Sequence, residues 1–174
     1  DAAALAVHRR IASEAWRLEL TTPAAMLETF KVLRVGAREV AEHRDGLTLM
    51  DPMVVWMTRL GLFDRGVAPG PDDFATTSQI CDFDAKMAST PAFLWMVSED
   101  NTRRAQVAAG RAYARVQLAA TAHGLGMQPL QQALQEYAEV AAPYRALREA
   151  LGVRGPQTLQ MWARVGHAPP VGPA

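Results

Sequence analysis

The chain is predicted to be an α+β domain, predominantly helical, with a small mixed sheet and one long central helix. Three observations carry this. Apolar residues recur at three-or-four spacing through most of the first half. The run Pro91 to Val97 is short, continuously apolar and of strand length. The segment Thr102 to His123 is alanine-rich and free of proline.

The first helix is read from Ala2 to Leu18, where Leu5, Ala12 and Trp16 fall on one side. Thr22-Pro23 is a cap followed by proline at the first helical position, and it opens a second helix running to about His43. Met26, Leu27, Phe30, Leu33 and Val40 keep its spacing, and Asp45-Gly46 ends it. Asp51-Pro52 repeats the device before a short helix, Met53 to Leu60. Arg65 to Pro71, with two glycines and two prolines, is a connection within one domain spanning residues 1–174. Asp72 to Ser89 resumes as helix, its two leading aspartates favoured by the positive end of the helix dipole.

Phe93 to Val97 is expected to be buried on both faces. Ser98 to Asn101 ends that strand and caps the long helix, which at about 22 residues would span about 33 Å and cross the core. Its stripe of Ala105, Ala108, Ala109, Ala112, Val116, Ala119 and Ala120 suits close packing and needs no ligand. Gly124-Leu125-Gly126 stops it, the loop Met127 to Leu130 follows, and a short helix runs on to about Val140. Pro143 to Leu151 is another helix, closed by Gly152, and Gln157 to Val165 is a second strand. The closing GHAPPVGPA is expected to lie outside regular helix or central strand.

Composition narrows the function. Eighteen basic and eighteen acidic residues cancel, which leaves none of the surplus that binding a phosphate backbone demands, so nucleic acid is excluded as a partner. The single cysteine, Cys81, rules out an internal disulfide and a multi-thiolate metal site, and is expected to pack in the core. No apolar run approaches the roughly 20 residues of a membrane-spanning helix. A soluble chain without membrane partners is expected, in the cytoplasm rather than the periplasm. Arg9-Arg10 and Arg103-Arg104 lack the apolar stretch that follows a twin-arginine signal.

Motifs of side-chain catalysis are missing. His8, His43, His123 and His167 show no zinc spacing and adjoin no cysteine. Asp82 and Asp84, two apart on a helix, point to different faces and read as solvated surface rather than metal ligands. His123 is a helix C-terminal residue favoured by the dipole, and Arg103 and Arg104 are a solvated helix start. There is no GxSxG, P-loop or GxGxxG sequence. This silence suits an enzyme whose cofactor brings the reactivity.

The strand PAFLWMVSED, the helix segment AAGRAYARVQLAATAHGLG, the loop MQPLQQ and the closing YRALREALGV and GPQTLQMWARVGH together resemble the carboxy-terminal half of the nitroreductase superfamily. The likeness is greatest to its Acg-type branch of bacterial FMN-binding proteins, and TPAAMLETFKVLRVGAREVAEHRDGL resembles that branch more weakly. The resemblance implies an FMN-dependent oxidoreductase that takes electrons from NADH or NADPH and passes them to a nitroaromatic, quinone or similar small acceptor. FMN would lie in a cleft between two subunits of a homodimer, or between two nitroreductase-like halves. By position, the residues facing the flavin would be Gln128, Pro129, Leu130, Gln131 and Gln132, with Gln131 where the family often carries an acidic or amide group. No catalytic side chain and no metal ligand is implied.

Two departures accompany the resemblance. Arg9-Arg10 lies in a helical context unlike the family's early phosphate-gripping segment, and the chain ends in VGPA without basic residues. These departures, and the start at Asp1, lead to the expectation that the chain is incomplete at its amino terminus, with the carboxy terminus left open. A flavin-sequestering protein with little turnover is the alternative reading, and a helical interaction domain without cofactor the third.

Overall fold

A computed structural model describes residues 1–167, in an α+β architecture that is mostly helical with two small sheets. The chain divides into two compact units: residues 1–18 with the chain from Ile80 onward, and residues 19–79.

In the first unit, helix α1 (Ala2–Thr21) and the end of a later helix, α5 (Phe74–Ala88), pack beside a three-stranded antiparallel sheet. The strands are β3 (Ala92–Ser98), β4 (Leu125–Pro129) and β5 (Thr158–His167), with β5 in the centre. Helix α6 (Arg103–Ala122) links β3 to β4, and α7 (Ala141–Ala150) precedes β5. The core joins Ile11, Ala12 and Ala15 of α1 to Phe83 and Met87 of α5, Leu147 of α7, and Leu159 and Trp162 of β5. Arg9 of α1 donates twice to the Thr90 carbonyl, at 2.7 and 3.2 Å, and so holds the chain just before β3.

His8 is buried on the inner face of α1. Its ring stacks on Phe93 at 5.1 Å and Trp95 at 5.6 Å, and lies tilted 5.8 Å from Trp162. The imidazole Nδ1 is buried without a hydrogen-bond partner, as is Trp162 Nε1. An apolar stack of this kind favours neutral imidazole, and burial holds the His8 pKa below its ordinary value of 6.5.

In the second unit, α2 (Pro23–Lys31) leads into β1 (Leu33–Val35), α3 (Gly36–His43) and β2 (Leu47–Leu49), a short parallel crossover pairing Leu33 with Leu47. Helix α4 (Pro52–Arg59) is capped by Asp51, whose carboxylate accepts from the Met53 and Val54 amides. Met26, Phe30, Leu33 and Val35 supply the buried apolar surface. Glu39 accepts from the Val35 amide and from both terminal nitrogens of Arg65. The Arg65 hydrogen bonds, then that amide, hold its carboxyl below the usual range.

Several expectations are corrected. The helix expected from Pro23 to His43 is broken by β1: Gly36 at φ +79° leaves helical geometry, and Leu33–Val35 finds a parallel partner in Leu47–Leu49. The sheet is not internally mixed, because the parallel and antiparallel pairs belong to separate sheets. Strand β3 is an edge strand rather than one buried on both faces, with Trp95 45% exposed. Helix α6 lies on the surface of its unit instead of crossing the core: only Ala120 is buried, and Ala108, Ala112 and Ala119 of the expected stripe are exposed. Its cap is Thr102, whose hydroxyl accepts from the Ala105 amide. Cys81 is exposed, not core. The helix expected up to Val140 is a pair of 3-10 turns, Gln132–Leu134 and Ala138–Val140. Gly166 and His167 belong to the central strand β5, and the rest of the closing segment lies outside the described residues.

Two outcomes follow. Gly46 has φ +73°, and a Cβ there would lie 2.0 Å from the Val32 carbonyl oxygen that accepts the Leu47 amide. Gly46→Ala should therefore destabilise the second unit by about 2–4 kcal/mol, read from its urea midpoint. For His8, the unfolded chain binds a proton below pH 6.5 that the folded chain resists. Stability is thus unaffected above that pH and lost below it, by at most about 1.4 kcal/mol per pH unit. Urea midpoints of His8→Phe should fall less steeply with acid, and parallel slopes for the two proteins would exclude His8 as the cause.

Candidate functional site

The segment after α6 is shaped by backbone first. Gly124, at φ +68°, turns the chain out of the helix, and its carbonyl lies 3.2 Å from His167 Nδ1. From there β4 runs antiparallel to β5, from Leu125 opposite His167 to Pro129 opposite Ala163. The expected loop Met127 to Leu130 is thus mostly an edge strand. Proline is tolerated at such an edge because the missing amide interrupts no second neighbour. One residue on, the Leu130 amide donates to the Trp162 carbonyl at 2.8 Å, which carries the pairing past the proline.

The five residues expected to face a ligand separate by role. Gln128 is exposed, and its Oε1 accepts from Nε of Arg164, its cross-strand partner, at 2.7 Å. Pro129 is exposed at the strand end. The Leu130 side chain is 2% exposed and belongs to the core, so only its backbone can meet a ligand. Gln131 caps the first 3-10 turn from just before it; its Nε2 lies 2.7 Å from Met161 Sδ and its Oε1 is buried without a partner. Gln132, half-buried, is the first residue of that turn.

Beside this turn lies a cavity of about 620 Å³ within the first unit. Its walls come from the start of α6 (Asn101, Gln106), the 3-10 turns (Gln131, Gln135), α7 (Tyr144) and β5 (Gln160). Asn101 Oδ1 accepts from Gln106 Nε2 at 3.1 Å and from Gln160 Nε2 at 3.2 Å, and Gln160 Nε2 also donates to Ser98 Oγ at 2.9 Å. The volume suits a small organic molecule. Of these residues only Gln131 was foreseen. The others are polar positions before and on α6, after the first 3-10 turn, on α7 and on β5, and no local pattern marks them.

Elsewhere the candidates are structural. Arg9 holds the Thr90 carbonyl and His123 is the C-cap of α6. Arg103 and Arg104 begin α6 on its exposed side. Asp84 meets Arg17 at 3.8 Å, and no metal-competent cluster of His, Cys, Asp and Glu occurs among the described residues. No helix there is long and apolar enough to cross a membrane.

No curated protein and no solved structure matches the chain. The sequence signature of the Nitroreductase family matches residues 13–167, from within α1 to the end of β5. The match takes in α6, the β4 edge and the turn that follows it, and covers most of the chain, which therefore belongs to the nitroreductase family, whose members typically bind flavin.

Proposed function

We propose that the protein is an FMN-dependent oxidoreductase of the Acg-type branch, which takes electrons from NADH or NADPH and delivers them to a nitroaromatic, quinone or similar small acceptor. The observation that carries this is the Gln128 to Gln132 turn, inside the family match and free of charged side chains. An isoalloxazine ring is flat, uncharged at its heterocyclic edge and rich in hydrogen-bonding atoms. A neutral turn with a buried, unbonded carboxamide oxygen has the right chemistry for it.

Bound FMN would supply the hydride chemistry that these side chains lack. The protein's part is to hold and orient. Pro129 and the β4–β5 pairing stiffen the approach, and the Leu130 to Trp162 hydrogen bond sets where the turn begins. Gln131 and the Gln132 backbone are then the groups available to the ring. Arg164 is held by Gln128 and by the Lys86 carbonyl through Nε and Nη1. A homodimer, or pairing with a second nitroreductase-like half, is supported by the outward side of α6, where small exposed residues lie with Val107 and Leu118 at 53% and 72% exposure.

Titrating FMN into the purified protein should quench flavin fluorescence, and Gln131→Leu should weaken binding about tenfold with an unchanged far-UV spectrum. NADH or NADPH should then bleach the bound flavin. Binding without reduction by either donor would replace the oxidoreductase with a flavin-sequestering protein, and an absence of binding would exclude both.

A further inference from the structure

We infer that the exposed side of α6 is a docking surface for an acidic amphipathic helix, whose carboxylates pair with Arg104, Arg111 and Arg115 while its apolar side chains cover the surface between them. The inference goes beyond the flavin reading and depends on no part of it.

Helix α6 carries four arginines and no Asp or Glu, and no acidic residue stands anywhere between Asn101 and Gln135. Arg103, Arg104, Arg111 and Arg115 are all exposed and form no ion pair among the described residues. The acidic residues just before the helix are turned elsewhere: Asp100 accepts from the amide and hydroxyl of Thr102, and Glu99 from Gln157 Nε2. A solvated helix ordinarily mixes signs, so that residues three or four apart attract. Here Arg111 and Arg115, four apart, repel, and Arg103 and Arg104 sit in the first turn against the positive end of the helix dipole. An anionic partner relieves both costs.

The four side chains stand around a shallow groove of about 590 Å³, lined by this helix alone, with Val107, Ala108 and Ala112 as the floor between them. Val107 is 53% exposed. That floor selects among anions. A phosphate chain has the charge but nothing apolar to lay on the floor, whereas a helix that sets carboxylates among alanine and leucine has both. Arg104, Arg111 and Arg115 are spaced seven and four residues apart, about 10 and 6 Å along the axis. Acidic residues at the same spacing fall on one face of a partner helix. Each guanidinium can then grip a carboxylate through two parallel hydrogen bonds, and the small floor residues let the axes approach to about 8 Å. A second α6 brings arginines and no carboxylate, so a face-to-face contact between two copies of this helix cannot supply the match.

The test is fluorescence anisotropy of two labelled amphipathic peptides with the purified chain, one carrying Glu at seven- and four-residue spacing among Ala and Leu, the other Lys at the same places. The Glu peptide should bind, more weakly as salt rises, and the Lys peptide should not. Arg111→Glu with Arg115→Glu should weaken the Glu peptide at least about tenfold and admit the Lys peptide, with the far-UV spectrum kept. Arg111→Gln, a milder change, should weaken the Glu peptide about threefold. Polyphosphate and oligothymidylate of matched charge should compete poorly. No binding of the Glu peptide, equal binding of both peptides, binding that survives charge reversal in the folded variant, or a polyanion that competes as well as the peptide would each overturn the assignment. So would a dimer in sedimentation equilibrium that dissociates on the same charge reversal, since the arginine row would then belong to a second copy.

Discussion

Trp162 performs two separate jobs in the first unit, one with its ring and one with its peptide. The indole is fully buried, stacked 5.5 Å from Phe93 and tilted against His8. A buried aromatic of this size is worth about 3–5 kcal/mol to a core. Its carbonyl accepts the Leu130 amide, the first available after Pro129. Because β5 pairs with strands on both sides, a displacement of Trp162 would disturb the β3 register and the turn after β4 together. The same residue that seals the core with its ring therefore locates the candidate site with its carbonyl.

Legibility in the sequence followed the directness of each signal. Caps and turns were readable because their chemistry is local: Asp51-Pro52 opens α4, and α3 ends at His43 as expected, although its cap is Arg44 in the left-handed region rather than Asp45-Gly46. Strand β3 was readable as an apolar run, but its edge position was not, since edge or centre depends on which strands come later. Strand β4 was missed because LGMQP carries glycine and proline, and only the neighbouring β5 makes it extended. The inward side of α6 was readable only in part, for a different reason. Alanines occur nearly all round that helix, so the expected stripe was drawn too wide: Ala105, Ala109, Val116 and Ala120 do turn inward, and Ala108, Ala112 and Ala119 do not.

For the site, the family resemblance carried the Gln128 to Gln132 turn, and the match over residues 13–167 agrees with the superfamily it named. Within that turn, Leu130 illustrates why position alone is insufficient. A leucine on a candidate binding loop can serve the core on one side while its neighbours face outward, and the two cases look the same in sequence. The cavity wall was beyond reach for a related reason. Asn101, Gln106 and Gln160 meet only because β5 lies beside the start of α6, and their shared hydrogen bonds join positions up to 59 apart.

Helix α6 divides the chemistry of the first unit. Arg103, Arg104, Arg111 and Arg115 lie along one exposed side and form no ion pair among the described residues. Asn101, at its start, and Gln106 instead join the amide network of the cavity. An anion approaching the helix meets guanidinium groups on one side and neutral carboxamides on the other. This sorting needs no net charge on the protein. It explains how a chain with balanced composition can still present sharply different surfaces to charged and uncharged molecules, a distinction that the sum of its residues conceals.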